Sequence, residues 1–423
     1  MDQFKHLLHY LGGLWVRVIL TILIGTLLLG CICMIPSGAM DRNLQESADV
    51  FAEEGVYPTL FSWCTSQLDS TTDALILLIS ACDTEELPLV QAMRGTRNIL
   101  TTVETTSDEL AVHYGSGVPF DGTEPYYQYW HGYQLIIRPV LSLLNYSGIR
   151  ILNGIFQTAL LIFLTVLMVR HGLKRYILPY LISVAMLMPL ALAMSLQFSS
   201  CYYILMLGSI AVLLFKDQLD KKDGLLFLYI GIATAYFDFL TYPAATLGIP
   251  AVFYCCIRKR ASVRDTFCRG VKVCFAWAMG YGLMWSGKWL VGSLILKQNI
   301  LAIANGKLAE RSSADTDLLK NIRVAMAANI KSFLRTPVTV IFVVALLILC
   351  GLLLRDLVRK RTTVPAVAAS VFPFVILAFI PIAWYLVTSQ HAVIHYWFTN
   401  KALMVSVFAG LSALVKSTEK TAC

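Results

Sequence analysis

The sequence predicts an all-α fold: a polytopic membrane helix bundle of about ten spans with a large helical first extracytoplasmic loop. Three observations predict it. Of the 423 residues, 57% are hydrophobic and only 14% charged, against roughly 25% charged in an average soluble domain. Several uninterrupted apolar stretches approach the ~20 residues that cross a bilayer as a helix. Charge is also sorted along the chain: Ser37 to Tyr146 carries 15 acids and 4 bases, the remainder 11 acids and 30 bases. Such a composition excludes a disordered chain, a coiled coil and an ordinary soluble enzyme.

The apolar stretches fall at about 14–36, 150–169, 177–195, 199–215, 224–240, 242–257, 271–291, 336–355, 364–389 and 398–415. The pair around Asp238 also reads as one hairpin that stops short of the far side. Basic knots separate the spans: Arg170, Lys174 and Arg175; Lys216, Lys221 and Lys222; Arg258 to Lys272; Arg355 to Arg361. Basic loops stay in the cytoplasm. Placing every knot there makes the chain a multi-pass plasma-membrane protein with both termini inside. Because each knot abuts a span, nucleic acid is not an expected partner. The organisation is then residues 1–36, N-terminus and first span; 37–149, acidic outer loop; 150–291, spans two to seven; 292–335, a basic amphipathic outer segment; and 336–423, spans eight to ten. The first span is too long for a signal h-region. Of the 11 cysteines only Cys64 and Cys82 share the outer loop. An oxidising compartment would permit a bridge between them, and no Cys/His spacing suggests zinc.

The polar residues collect outside. The first loop reads as short helices, one from Ser47, one from Asp69 through Asp73, where acids and hydroxyls cap free N–H groups, and one from Glu85 to Leu100. The segment Lys297–Arg335, with Arg323 at its middle, reads as a helix on the outer membrane surface or as a clamp for a lipid phosphate. Asp238, beside Tyr242, is either a functional carboxylate at membrane depth or the cap of span six. His391 and His395, four apart, share a helix face, with Lys401 following. Lys288 either snorkels outward or serves the same site. Tyr129, Trp130 and His131, followed by Arg138, read equally as an interfacial belt or as an aromatic shelf for a sugar.

At these residues the chain resembles bacterial (Firmicutes-type) glycosyltransferase-like polytopic membrane proteins. The matching stretches are Gln67 to Ala74, Tyr129 to Tyr133 with Arg138-Pro139, Phe237 to Pro243, and His391 to Thr399. They are short, but their order spans most of the chain. That group is similar in layout to the GT-C glycosyltransferases. The resemblance implies a polyprenyl-phosphate sugar as donor, a cell-envelope glycan or glycolipid as acceptor, and a catalytic acid in the first outer loop.

The expected chemistry is inverting glycosyl transfer at the lipid boundary. Asp69, then Asp73, then Asp41 are the candidates to take the acceptor's proton. Arg138, Arg323, His391, His395 and Lys401 are candidates to stabilise the leaving phosphate, and Asp238 with Tyr242 to orient a sugar hydroxyl. The sequence fixes no cofactor, and a divalent cation between acids is left open. Asp315-Thr316-Asp317 resembles a nucleotide-sugar metal motif but reads as loop. The alternatives are a lipid-linked oligosaccharide flippase or transporter, which would favour broken helices and midplane polar groups, a surface polysaccharide polymerase, and an acyltransferase.

Overall fold

The computed structural model describes residues 2–258, 263–312, 317–359 and 363–418. The chain is 78% helical, and among the described residues one sheet pairs Arg97–Ile99 antiparallel to Gly122–Glu124. Among the described residues six helices are long and apolar enough to cross a membrane: Gly12–Ile32, Tyr146–Arg170, Leu196–Leu214, Val338–Val358, Val367–Val387 and Tyr396–Thr418. The other four expected spans are helical as well, but differ in kind. The 177–195 stretch is broken into Ile177–Ala185 and Pro189–Met194. The break sits at Met188, whose positive φ of 54° precedes Pro189, because a residue before proline is driven from the helical region. Ala244–Ile257 is only 14 residues. Leu219–Phe237 and Val263–Leu296 carry charged first turns.

Those last two helices form the tightest seam. They run parallel, with Lys272 Nζ 2.5 Å from Asp223 at one end and Tyr236 and Met284 both against Gly25 near the other. A Cβ on Gly231 would stand 2.1 Å from the Trp277 carbonyl, and one on Gly280 2.2 Å from that of Leu228. Only glycine permits such backbone approach, which is how helices associate where apolar burial offers no net drive. Ala244–Ile257 returns between them.

Residues 37–149 carry more helices than expected: the first begins at Asp41, and Thr106–Ser116 and Gln134–Leu141 are additional. Asp41–Glu54, Ser70–Ala81 and Thr106–Ser116 pack together around Leu44, Phe51, Leu77 and Leu110. The helix expected over Glu85–Leu100 covers only Pro88–Arg94 and stops at Gly95 in the left-handed region, after which the chain becomes the first strand. A side chain at Gly95 would also meet His131 Nε2 at 2.7 Å. Cys64 and Cys82 are free thiols.

Candidate functional site

Residues 56–70 form a closed loop. Ser70 N–H donates to Val56 O at 3.1 Å and Leu68 N–H to Pro58 O at 2.8 Å, so Tyr57 and Asp69 stand across from each other. Asp69 is the N-cap of Ser70–Ala81, accepting the Thr72 N–H at 2.9 Å. It is only 3% exposed. Burial pushes its carboxyl up to about 6; the Thr72 N–H pulls the other way and the charge of Asp73 adds to the rise. A carboxylate that is part-protonated near neutral pH suits general-base work.

Asp73, one turn on, is differently placed. Its two oxygens accept Tyr146 O–H at 2.6 Å, Leu196 N–H at 2.8 Å, Gln197 N–H at 2.9 Å and Ser195 O–H at 3.1 Å. Burial raises its pKa despite these donors. A carboxylate there satisfies the free N–H groups that open the Leu196–Leu214 helix. Its geometry is that of a tether. Asp41 begins its own helix in solvent, exposed.

The start of Leu196–Leu214 is a hub for the expected site residues. Tyr242 O–H donates to Phe198 O at 2.6 Å. Asp238 accepts the Thr241 N–H at 3.0 Å and the Thr241 hydroxyl, and Thr241 in turn reaches Cys201 Sγ at 3.3 Å. Asp238 thus closes the 238–241 turn rather than capping span six, whose helix Ala244–Ile257 begins after Pro243 with no side-chain cap. His391 Nε2 meets Leu240 O, whose residue has φ of 68°, at 2.9 Å. Lys401, fully buried, donates to Thr65 O at 2.9 Å and Leu187 O at 3.1 Å, with its ammonium 5.0 Å from the Phe198 ring. Leu187 is beside the broken helix, and its carbonyl needs a donor. The acid-bearing loop and the histidine-bearing turn therefore meet.

A second group adjoins the hub through Phe239 and Leu240, which pack with Tyr129, Tyr133 and Leu196. The exposed shelf expected of Tyr129, Trp130 and His131 is corrected: the three are 4%, 1% and 2% exposed. Tyr129 packs on Phe239 and Trp285, and Trp130 Nε1–H donates to Met284 O at 2.7 Å. His131 meets Tyr126 O at 2.8 Å and Tyr133 Oη at 3.0 Å, and burial drives its pKa down to about 3. It is a neutral imidazole that fixes the turn. Lys288 does not snorkel; it is buried and caps the Pro88–Arg94 helix through Met93 O at 2.7 Å. Arg138 is likewise buried, donating to Ile35 O at 2.8 Å and to Asp83 at 2.5 Å, so its guanidinium is turned toward protein rather than a phosphate.

Ile300–Ser312 and Leu318–Leu334 make up the basic segment. The second helix docks on the histidine turn: Asn329 donates to Ala392 O at 3.0 Å and accepts from Thr399 at 2.7 Å. Arg323 and Lys320 lie exposed on it. Asp315 and Thr316 lie outside the described residues, and Asp317 caps the helix through the Lys320 N–H at 3.1 Å.

The residues that sequence reasoning missed are aromatic. Tyr57, 46% exposed, sets its ring 5.4 Å from that of half-buried Trp397. Trp397 lies 5.1 Å from the His395 ring, and its Nε1–H is buried with no acceptor among the described residues. The charge of Asp69 bears on the Tyr57 phenol, adding to the burial that raises its pKa. Phe61 and Trp63 pair at the tip of the same loop, 5.2 Å apart. The Tyr57-Pro58 turn signal was visible; its partner 340 positions on was not. Among the described residues no three of His, Cys, Asp and Glu are grouped to hold a metal ion. No family model matches the chain, and neither a curated protein nor a solved structure does.

Proposed function

We propose that this chain is an integral-membrane glycosyltransferase of about ten spans and GT-C-like layout, with both termini in the cytoplasm of the producing cell. It moves a sugar from a polyprenyl-phosphate donor to an extracytoplasmic acceptor hydroxyl. The observation that carries the reading is the placement of buried Asp69 directly across the loop from Tyr57, which leans on Trp397. Asp69 takes the acceptor proton as that oxygen bonds to the sugar's anomeric carbon; the carbon–oxygen bond to phosphate breaks, and its electron pair leaves with the phosphate. Aromatic faces suit the apolar faces of a sugar ring, and the Trp397 N–H lacks the partner that a ligand hydroxyl would supply. Arg323 and His395 are the candidates left to face the departing phosphate. Asp73, Arg138, Lys288, His391 and Lys401 act by positioning the loop and turn.

The test is transfer from a radiolabelled polyprenyl-phosphate sugar by purified protein. Asp69→Asn is expected to lower the rate by about 100-fold or more, the usual contribution of a general base, at unchanged expression. Full activity in Asp69→Asn removes that residue from the mechanism. The broken helices at Met188 and at Phe379 favour a second reading, a lipid-linked sugar flippase. Translocation in vesicles that persists in Asp69→Asn without any transfer would select it.

A further inference from the structure

Ser37 to Tyr146 carries 15 acids and 4 bases, yet residues 55–68 contain neither. Much of this uncharged loop is paired internally. Besides the two bonds that close it, Gln67 N–H donates to Cys64 O at 3.1 Å and Ser66 N–H to Trp63 O at 2.9 Å. The Ser66 hydroxyl is buried; it accepts the Phe61 N–H at 3.0 Å and donates to Trp63 O at 2.7 Å. Lys401 supplies Thr65 O from the far end of the chain. A loop in water can leave such groups to the solvent, whereas irregular backbone at membrane depth has to satisfy them within the protein.

Two contacts set the depth of the loop. The Lys401 ammonium bonds Thr65 O at 2.9 Å and Leu187 O at 3.1 Å, so the 64–66 turn stands level with Leu187, inside the 177–195 apolar stretch. Leu60, Trp63 and Leu68 pack with Met188, Ala191 and Met194 at the helix break there. The outward side of this junction is apolar too: Phe61 is 45% exposed and Leu190, between Met188 and Ala191, 54%. Leu178 and Leu181, one turn apart on the helix before the break, are exposed as well. We propose that the 56–69 loop dips into the leaflet bordering the outer loop, with Phe61 and Trp63 as its lipid-inserted tip. Its partner is phospholipid at the boundary of headgroups and acyl chains, where aromatic rings settle and apolar faces enter by about 5–10 Å. A protein partner would call for a polar rim around the patch, and residues 55–68 offer no charge to build one. Asp69 closes the same loop, so its carboxyl is held at the membrane boundary. The inference does not rest on sugar transfer.

Photocrosslinking of the full-length protein in phosphatidylglycerol–phosphatidylethanolamine nanodiscs tests it. p-Benzoylphenylalanine replaces Phe61, or Trp63 in a second variant if the first fails to fold. A control variant carries it at Thr102, an exposed position on a turn of the same outer loop near Glu104 and Asp121. After irradiation, peptide mass spectrometry reads the fraction of each site that has gained the mass of one phospholipid. Covering the half of Phe61 that the protein leaves bare is worth about a tenfold preference for lipid over water, so the adduct at position 61 or 63 is expected at about ten times that at 102. Equal adduct at the tip and at 102 in folded protein, or a tip that crosslinks to a second copy of the chain instead of to lipid, would overturn the proposal. Because no turnover is read, neither result bears on the transfer assay.

Discussion

Replacing Asp69 with asparagine separates two properties of one side chain. Asparagine caps a helix as well as aspartate does, so the bond to the Thr72 N–H and the start of Ser70–Ala81 are kept. What disappears is a charge held at 3% exposure. Burial raises that carboxyl from an ordinary 3.8 to about 6, and each pKa unit is worth about 1.4 kcal/mol. The ionised form therefore costs the folded chain about 3 kcal/mol. Because the folded pKa lies above the unfolded one, the folded chain holds the proton more tightly. Stability from this group is complete below about pH 4 and is lost as pH rises through about 6. Asp69→Asn should match the parent in acid and exceed it in melting temperature near pH 8, by on the order of 5 °C. Tryptophan fluorescence at one scan rate, across pH, reads this directly even where unfolding is irreversible. A gap that does not change with pH, or a variant less stable at high pH, refutes the argument that Asp69 is a buried, costly charge. A residue whose removal stabilises the fold while ending transfer is one retained for chemistry.

Three further outcomes follow from the geometry. Asp73→Ala strands the Leu196 and Gln197 N–H groups and two hydroxyls; at about 1–3 kcal/mol per buried unmet group, the protein should fail to accumulate, and wild-type yield would contradict the tether. Gly231→Ala forces a methyl to 2.1 Å from the Trp277 carbonyl, whereas Gly282→Ala meets nothing within 4 Å. The first should cost about 3 kcal/mol by overpacking and the second almost nothing, as judged by size-exclusion profile and melting. Lys401→Met should free the 57–69 loop from the last helices, and limited proteolysis should then cut near Phe61; unchanged cleavage would show that the lysine does not hold the loop.

Helices were legible because apolar runs of membrane length have few other outcomes. Their interruptions were less so, although Pro189 and Pro381 were plain signals beside Met188 and Phe379. Asp69 and Asp73 were both readable as residues at a helix start. Only the fold reveals that one caps its own helix and the other a helix more than 120 positions away, since local spacing carries no record of distant pairing. Lys288, Arg138 and Lys401 were misjudged for a general reason: long cations are rarely buried without a partner, and the partners here are backbone carbonyls that no sequence pattern announces.

Those carbonyls narrow the chemistry. Where lipid surrounds a fold, every backbone oxygen needs an internal donor, and broken helices leave several without one. Lys401 serves Leu187 beside the break at Met188, Lys288 the end of Pro88–Arg94, Arg138 the chain leaving the first helix at Ile35, and His391 the left-handed Leu240. Moving any of them toward a phosphate would strand a buried carbonyl, at about 1–3 kcal/mol each. Stabilisation of a leaving phosphate by these groups would thus work against the fold that presents Asp69. Arg323, exposed on a helix that docks against the histidine turn, carries no such duty among the described contacts, so the positive charge that the proposed transfer calls for is best sought there.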